Sequence, residues 1–354
     1  MTGSNLSRGE EIEFRKVTPD DGGALKQLFE ENPDGGEIQF APRFKSDPYR
    51  VFSELIPKDE FAGYIAETAT GEAVGAGFIA LSDARIGGEL RPRGYLAGLV
   101  VDKEYRGMGL AKRLARRRIQ YAEETASDDV VVSAAIQSGN EPSMAVARSW
   151  ADDFPYEYVN HSVELLNEAP NTDYTVRGIS PSEVSEFVAG INEFYQDAEL
   201  FVPYRSETLS DMLETTIAGI TVHRCDVVVE DSEYVAGAQV VQNYKVMSAE
   251  IAELPPELEE ADQLPPSLPE DRIIRPAFVI PWFKRGYESA ANAMLDYERA
   301  NAGDANRLMC TFDPDGPVGQ LDGLNLDDGT MRFNWAIRGL DDPARDAFVA
   351  PGIG

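Results

Sequence analysis

The chain has little sulfur or imidazole chemistry to offer. Cys225 and Cys310 are its only cysteines, and His161 and His223 its only histidines. That leaves no disulfide framework, no Cys-x-x-Cys redox pair and no thiolate cluster for zinc, so no metal is expected. No apolar run approaches the ~20 residues that a membrane-spanning helix needs. Residues Met1 to Glu13 are polar and acidic, without the apolar core of a secretory leader, so a cytoplasmic location without a membrane partner is expected. Basic residues are scarce as well: 32 against 62 acidic ones, for a formal charge of −30. Binding nucleic acid takes a basic face to neutralise phosphate, and none extends here beyond one short segment.

At 354 residues the chain exceeds the size at which one core keeps growing, and 43% hydrophobic residues can build two domains. The dense negative charge, with Arg well above Lys, reads as adaptation to high salt. Near 1 M salt the Debye length falls to ~3 Å and self-repulsion is screened. The plainer reading is simply an acidic protein.

The sequence repeats itself. Phe14-Arg15-Lys16-Val17-Thr18-Pro19 reads as a short strand ending at a helix start, with Thr18 as N-cap and Pro19 in the first turn. Val176-Arg177-Gly178-Ile179-Ser180-Pro181 repeats it at an offset of 162, which also sets Val74-Gly75-Ala76-Gly77 on Ala236-Gly237-Ala238-Gln239. Both Gly-Ala stretches follow a turn and read as central hairpins. Further on, Arg106-Gly107-Met108-Gly109-Leu110-Ala111 aligns with Arg285-Gly286-Tyr287-Glu288-Ser289-Ala290 at an offset of 179. An insertion must lie between, and the proline-rich, acidic stretch at about 250–271 reads as an exposed loop of that kind. The expected organisation is a tandem of related domains, 1–168 and 169–354, with the boundary near Asn167 to Asp173.

The chemistry concentrates at the first of these loops. Tyr95 to Val101 reads as a buried strand, and from Leu110 onward the apolar residues follow one helical face. A strand feeding a glycine turn and a helix N-terminus is a general anion cradle, since unpaired amides and the helix dipole both face the loop. A dinucleotide-binding Gly-x-Gly-x-x-Gly would need glycine at Lys112, and a P-loop would need Gly-Lys-Ser/Thr, so neither fits. Lys103, Arg106, Lys112, Arg113, Arg116, Arg117 and Arg118 crowd the same stretch of an otherwise acidic protein, where a polyanionic ligand would need attraction.

Read as Arg/Gln-x-x-Gly-x-Gly/Ala together with its preceding strand, Leu99 to Ala111 closely resembles the pyrophosphate loop of the GNAT N-acetyltransferase superfamily. The resemblance implies an α/β fold of two tandem GNAT-like domains, each a mixed, mostly antiparallel twisted sheet flanked by helices, like tandem-domain relatives such as mycothiol synthases. It implies acetyl-CoA as co-substrate, with the amides of Gly107 to Ala111 gripping the pyrophosphate and Leu99 and Val101 pairing with the pantetheine arm as an added strand would. The next family element fits Val130 to Ala135 followed by Gly139-Asn140-Glu141-Pro142-Ser143, where Asn140 and Ser143 match a helix start. Asn140 would then bond the pantetheine region; as a plain N-cap it would need no ligand. The binding residues so implied are Leu99, Val100, Val101, Arg106, Gly107, Met108, Gly109, Leu110, Ala111, Lys112, Asn140 and Ser143.

Three departures bear on catalysis. The position seven residues after Asn140, where relatives carry a tyrosine acid, is Ala147. Tyr156 and Tyr158 follow closely and are the candidate acids, although strand aromatics also pack cores. The strand Tyr95 to Leu99 lacks the carboxylate that many relatives place there, so the base must come from elsewhere. In the second copy Glu288 replaces the loop's second glycine, putting negative charge where phosphate would sit, so one coenzyme per chain is expected. Phe194, Tyr195, Tyr204, Arg205 and Trp282 are candidates for an acceptor site or for core. The expected activity is acetyl transfer to a primary amine of a small molecule or peptide, in a monomer or homodimer. The alternative is a non-catalytic coenzyme A sensor.

Overall fold

The computed structural model describes residues 11–56, 58–260, 268–322, 324, 326 and 330–350. In chain order the first half comprises β1 (Ile12–Lys16), α1 (Gly22–Glu31), β2 (Asp34–Gly35), β3 (Gln39–Phe44), α2 (Pro48–Leu55) and β4 (Glu60–Thr68). It continues through β5 (Ala73–Ile86), β6 (Glu89–Val101), α3 (Leu110–Thr125), β7 (Val131–Gln137), α4 (Glu141–Ala147) and β8 (Asp153–Val163). The second half begins with β9 (Thr175–Gly178), α5 (Val184–Phe194), α6 (Ser206–Glu214), the small hairpin β10 (Thr216–Ile217) and β11 (Ile220–Thr221), β12 (His223–Glu230) and β13 (Glu233–Val241). It ends with β14 (Met247–Glu253), α7 (Pro256–Glu259), β15 (Ile273–Ile274), β16 (Pro276–Phe283), α8 (Glu288–Ala300), β17 (Arg307–Phe312) and β18 (Thr330–Arg338).

Twelve strands form one sheet in the order β1-β4-β5-β6-β7-β18-β8-β17-β16-β13-β12-β9. Pairing is antiparallel except for β6 with β7 and β16 with β17. If β1, β4, β5, β6, β7 and β8 are matched to β9, β12, β13, β16, β17 and β18, the order reads the same from either edge. The last strand of each half crosses over: β18 lies between β7 and β8, and β8 pairs with β17. The two halves therefore share hydrogen-bond ladders at their junction rather than touching only through side chains.

The repeat is chemical as well as topological. In the first half the Arg15 guanidinium donates to both Asp21 carboxylate oxygens at 2.7 and 2.8 Å, and Asp21 accepts from the Thr18 amide at 2.7 Å. In the second half Arg177 holds Glu183 at 2.6 and 3.0 Å, and Glu183 accepts from the Ser180 amide at 2.7 Å. Each strand is thus tied to the turn that starts its first helix, at the offset of 162.

Around β4 to β6 the helices cover both faces. Ala115, Ile119 and Ala122 of α3 pack on Ile79, Leu81 and Leu96, whereas Leu25, Leu28 and Phe29 of α1 and Val51 and Leu55 of α2 pack on Ile65, Ala76, Phe78 and Val100. A second sheet, β15-β14-β3-β2, joins strands of both halves. The acidic stretch at 250–271 is not wholly an exposed loop: Glu250 to Glu253 complete β14, whose pairing with β3 satisfies their backbone groups. Residues 261–267 of that expectation lie outside the described residues.

Candidate active site

Two irregularities open a cleft beside β6. Its parallel pairing with β7 covers only Arg93, Gly94 and Tyr95, after which the strands diverge. On the other side, Ala97 stands opposite Phe78 and Val100 opposite Ala76, so Gly98 and Leu99 together face the single residue Gly77. Such a bulge removes residues from the ladder and turns the strand. Gly98 takes φ +54°, a left-handed backbone that disfavours side chains. Gly98 and Leu99 thus have a ladder partner on neither edge.

The bulged strand leads into the glycine turn. Asp102 accepts from the Glu104 amide at 2.8 Å, and buried Asn32 accepts from the Lys103 amide at 2.8 Å while donating to Leu28, which fixes the turn to α1. Gly107 and Gly109 adopt φ +82° and +79°, and Gly109 caps α3. Space is open around both Cβ positions, so glycine is required there by backbone conformation rather than crowding. The first amides of α3 have no intrahelical acceptor and face the loop. Arg106 bonds the Val101 carbonyl at 3.2 Å and the Pro33 carbonyl at 3.4 Å, bracing the loop against β6.

A cavity of about 460 Å³ runs from this loop to the start of α4. It brings together eleven of the twelve binding residues expected from the sequence. The exception is Met108, which projects to solvent at the tip of the loop. The opposite wall is Pro33 to Gly36, contributed by a hairpin of β2 and β3 that the sequence reading missed. Gly36 approaches so closely that a Cβ there would lie 2.7 Å from the Ser138 carbonyl oxygen.

Asn140 ties this hairpin to the cleft. Its side-chain oxygen accepts from the Ser143 amide at 3.1 Å, and its nitrogen donates to Asp34 at 2.9 Å. Both polar ends of Asn140 are therefore used within the protein, as an N-cap and as a clamp on Asp34. Asp34 remains accessible from the cleft, but the surrounding walls desolvate its carboxyl and raise it above the usual carboxylate range, against the opposing Asn140 bond and the Arg106 charge. Among the described lining residues it is the one carboxylate.

Residues 25–150, which hold the bulged strand, the glycine turn and Asn140, match the family model for the Acetyltransferase (GNAT) family. That stretch resembles the GNAT family. The fold agrees over nearly the whole length of the chain. A tandem GNAT protein from the clavulanic acid biosynthesis pathway aligns over 93% of this chain and 98% of that one, with TM-score 0.58 and 15% identity. The N-myristoyltransferase of Saccharomyces cerevisiae with bound myristoyl-CoA aligns over 97% and 85%, with TM-score 0.64 and 11% identity. A GCN5-related N-acetyltransferase from Kribbella flavida aligns over 93% and 71%, with TM-score 0.56 and 15% identity. No curated protein matches in sequence.

Within the GNAT domain the basic residues divide. Lys112, Arg113, Arg116 and Arg117 are exposed on α3, with Arg113 and Arg117 lying 4.1 and 5.3 Å from the centre of the Phe14 ring. Arg118, counted with them in the sequence, is buried instead. Its guanidinium donates to the carbonyls of Phe78 at 3.0 Å and Ala97 at 3.1 Å, the pair that closes the ladder beside the bulge. Burial pushes Arg118 down to about 9. Gly77 leaves it room, since a Cβ at that position would sit 2.9 Å from the guanidinium carbon.

Tyr156 and Tyr158 are not brought to the cleft. They lie in β8 within a core cluster with Trp335, and Tyr158 stacks on Phe333 at 5.1 Å. Burial raises both phenols, because the anionic form loses its hydration. Tyr195, Tyr204 and Trp282 pack the core of the second half, Phe194 packs against it, and Arg205 pairs with Asp59, so these five form no cluster at the cleft.

The second GNAT-like half departs where the cleft would be. The register of β13 with β16 runs unbroken from Ala236 opposite Phe283 to Val241 opposite Phe278, so no bulge forms. Trp282 covers Gly237 and Gly190, each of whose Cβ positions falls within 2.6 Å of the ring. In the loop, Gly286 keeps a left-handed φ of +86°, but its amide donates to the Glu288 carboxylate at 3.3 Å. The side chain that replaces glycine thus occupies the donor that a phosphate would use.

Proposed function

We propose that the chain is an N-acetyltransferase that moves an acetyl group from acetyl-CoA to a primary amine of a small molecule or peptide, by direct attack in a ternary complex. The observation that carries this reading is the single cavity joining the bulged, unpaired edge of β6 to the left-handed glycine loop at the start of α3. The α3 amides and dipole suit the pyrophosphate. The free edge of Leu99 to Val101 suits the amides of the pantetheine arm, laid down as an extra strand.

Aminolysis of a thioester needs a neutral amine and a stabilised oxyanion. Asp34 is the group we assign to take the ammonium proton, since desolvation raises its carboxyl toward neutrality. The amine nitrogen then bonds the acyl carbon, the carbon–sulfur bond breaks, and the proton that the nitrogen sheds on becoming an amide passes through solvent to the leaving thiolate. The amides released from the ladder at the bulge suit the oxyanion. Cys225 and Cys310 are buried with raised thiols and do not line the cleft, which disfavours a covalent acyl-enzyme.

Thiol release from acetyl-CoA in molar salt, over a panel of amines, tests the reading. Turnover is expected in the wild type, and in Asp34→Asn a loss at neutral pH that partly recovers as pH rises and free amine accumulates. Coenzyme binding without turnover of any amine would instead favour a sensor. An Asp34→Asn enzyme with the wild-type pH profile would remove Asp34 as the base.

A further inference from the structure

A second cavity, of about 640 Å³, lies on the far side of the β2–β3 hairpin from the coenzyme cleft. The two meet at Gly139 and are divided by the hairpin: Asp34 to Gly36 face one, and Glu37, Ile38 and Phe40 face the other. The floor is built on five adjacent strands, β7, β18, β8, β17 and β16, through Gln137, Phe333, Ser162, Met309 and Phe278. Ile38 of the turn between β2 and β3, with Phe40, Ala249 and Ile274 of the second sheet, forms the roof, and Leu258 and Leu268 flank it from the acidic insertion. The cavity exists only because the halves exchange strands and share the small sheet.

Its chemistry limits what it can hold. Most of the walls are apolar, which favours a ligand with substantial apolar surface. Ser138, Thr330, Arg307 and Arg332 also line it, and it opens to solvent, unlike the dry slot that suits a long saturated acyl chain. Glu37 stands on the dividing hairpin, next to Gly139 where the two cavities meet, and offers the one carboxylate among the described residues lining this cavity to an ammonium group.

We propose that this cavity is the acceptor site, and that the acceptor is a primary amine carried on an apolar body, aliphatic or aromatic, with its nitrogen directed past Glu37 toward the coenzyme cleft. This rests on the acetyltransferase reading and adds the substrate class to it. Rates with acetyl-CoA are to be measured for a polar amine, ethanolamine, and for hexylamine and phenethylamine. The apolar amines are expected to show kcat/KM at least ~10-fold higher, as filling a hydrophobic pocket allows. Ala249→Trp in the roof and Met331→Trp at the floor should each cut that advantage by ~10-fold or more. Each should leave coenzyme A affinity, measured by calorimetry, unchanged, and two variants on different strands guard against one failing to fold.

Equal rates for polar and apolar amines, or variants that discriminate no differently, would overturn the assignment while leaving the enzyme reading intact. A rate that grows with octanoyl-CoA and is blocked by Ala249→Trp would give the cavity to the acyl chain and overturn it too. Absence of coenzyme A binding by the wild type would instead defeat the underlying reading, and the acceptor site with it.

Discussion

Replacing Gly77 by alanine tests how the bulge is held. The added Cβ would sit 2.9 Å from Arg118 Cζ and 3.0 Å from its Nη1. Carbon atoms normally rest ~3.5–4.0 Å apart, so the guanidinium must retreat by roughly 0.6–1 Å. Its bonds to the Phe78 and Ala97 carbonyls, now 3.0 and 3.1 Å, would then stretch beyond useful length. Overpacking costs about 1–3 kcal/mol, and weakening two bonds from a charged donor adds to it, so a loss of roughly 2–4 kcal/mol is expected. Urea melts in molar salt measure it. Gly23→Ala is the control, because nothing lies within 4 Å of that Cβ position in α1. It should be neutral or stabilising by up to ~1 kcal/mol. Pairing Gly77→Ala with Arg118→Met removes the clash, so the double variant should lie at least ~1 kcal/mol above the sum of the singles. Strict additivity, or a Gly77→Ala protein as stable as Gly23→Ala, would refute this role for Arg118.

Three further outcomes follow from the same geometry. Gly109→Ala places a side chain on a left-handed backbone at a cost of ~1–2 kcal/mol that coenzyme binding must restore, so titration calorimetry should show roughly 5–30-fold weaker coenzyme A. A fragment of residues 1–168 lacks β18, which separates β7 from β8, so it should give no cooperative unfolding transition, while the whole chain unfolds in one. Burial beside Asp226 pushes Glu298 up to about 8, despite the Arg224 pair. An acid with a raised folded pKa gives stability that is complete below its ordinary range and lost as pH rises through about 8. Melting temperature should therefore fall from about pH 4.5 to about pH 8 and level off above, and Glu298→Gln should flatten that slope.

The parts of this protein that could be read in the sequence are those built from near neighbours. The glycine loop, the helix behind it and the paired turns at Thr18 and Ser180 each depend on a few consecutive residues whose backbone needs are local. The exchange of β8 and β18 depends on pairing across more than 150 residues, as Thr330 with His161 shows, and leaves no local mark. Arg118 was grouped with the charges that would attract a polyanionic ligand, although it lies four residues from both Leu114 and Ala122 on the buried face of α3. That spacing was a usable signal. Asp34 was missed because Pro33-Asp34-Gly35-Gly36 reads only as a turn, and nothing nearby says that the turn leans against Asn140. Tyr156 and Tyr158 were misplaced for the opposite reason: they are near the motif in sequence, but alternation along β8 directs them into the core of the sheet.

The central claim is that one half of a duplicated chain retains a working coenzyme cradle and the other has filled its own. Isothermal titration of coenzyme A into the intact chain in molar salt, with the wild type and Gly109→Ala side by side, tests it most directly. The expected result is one site per chain, weakened by the substitution. Two sites per chain, or one site indifferent to Gly109, would contradict it.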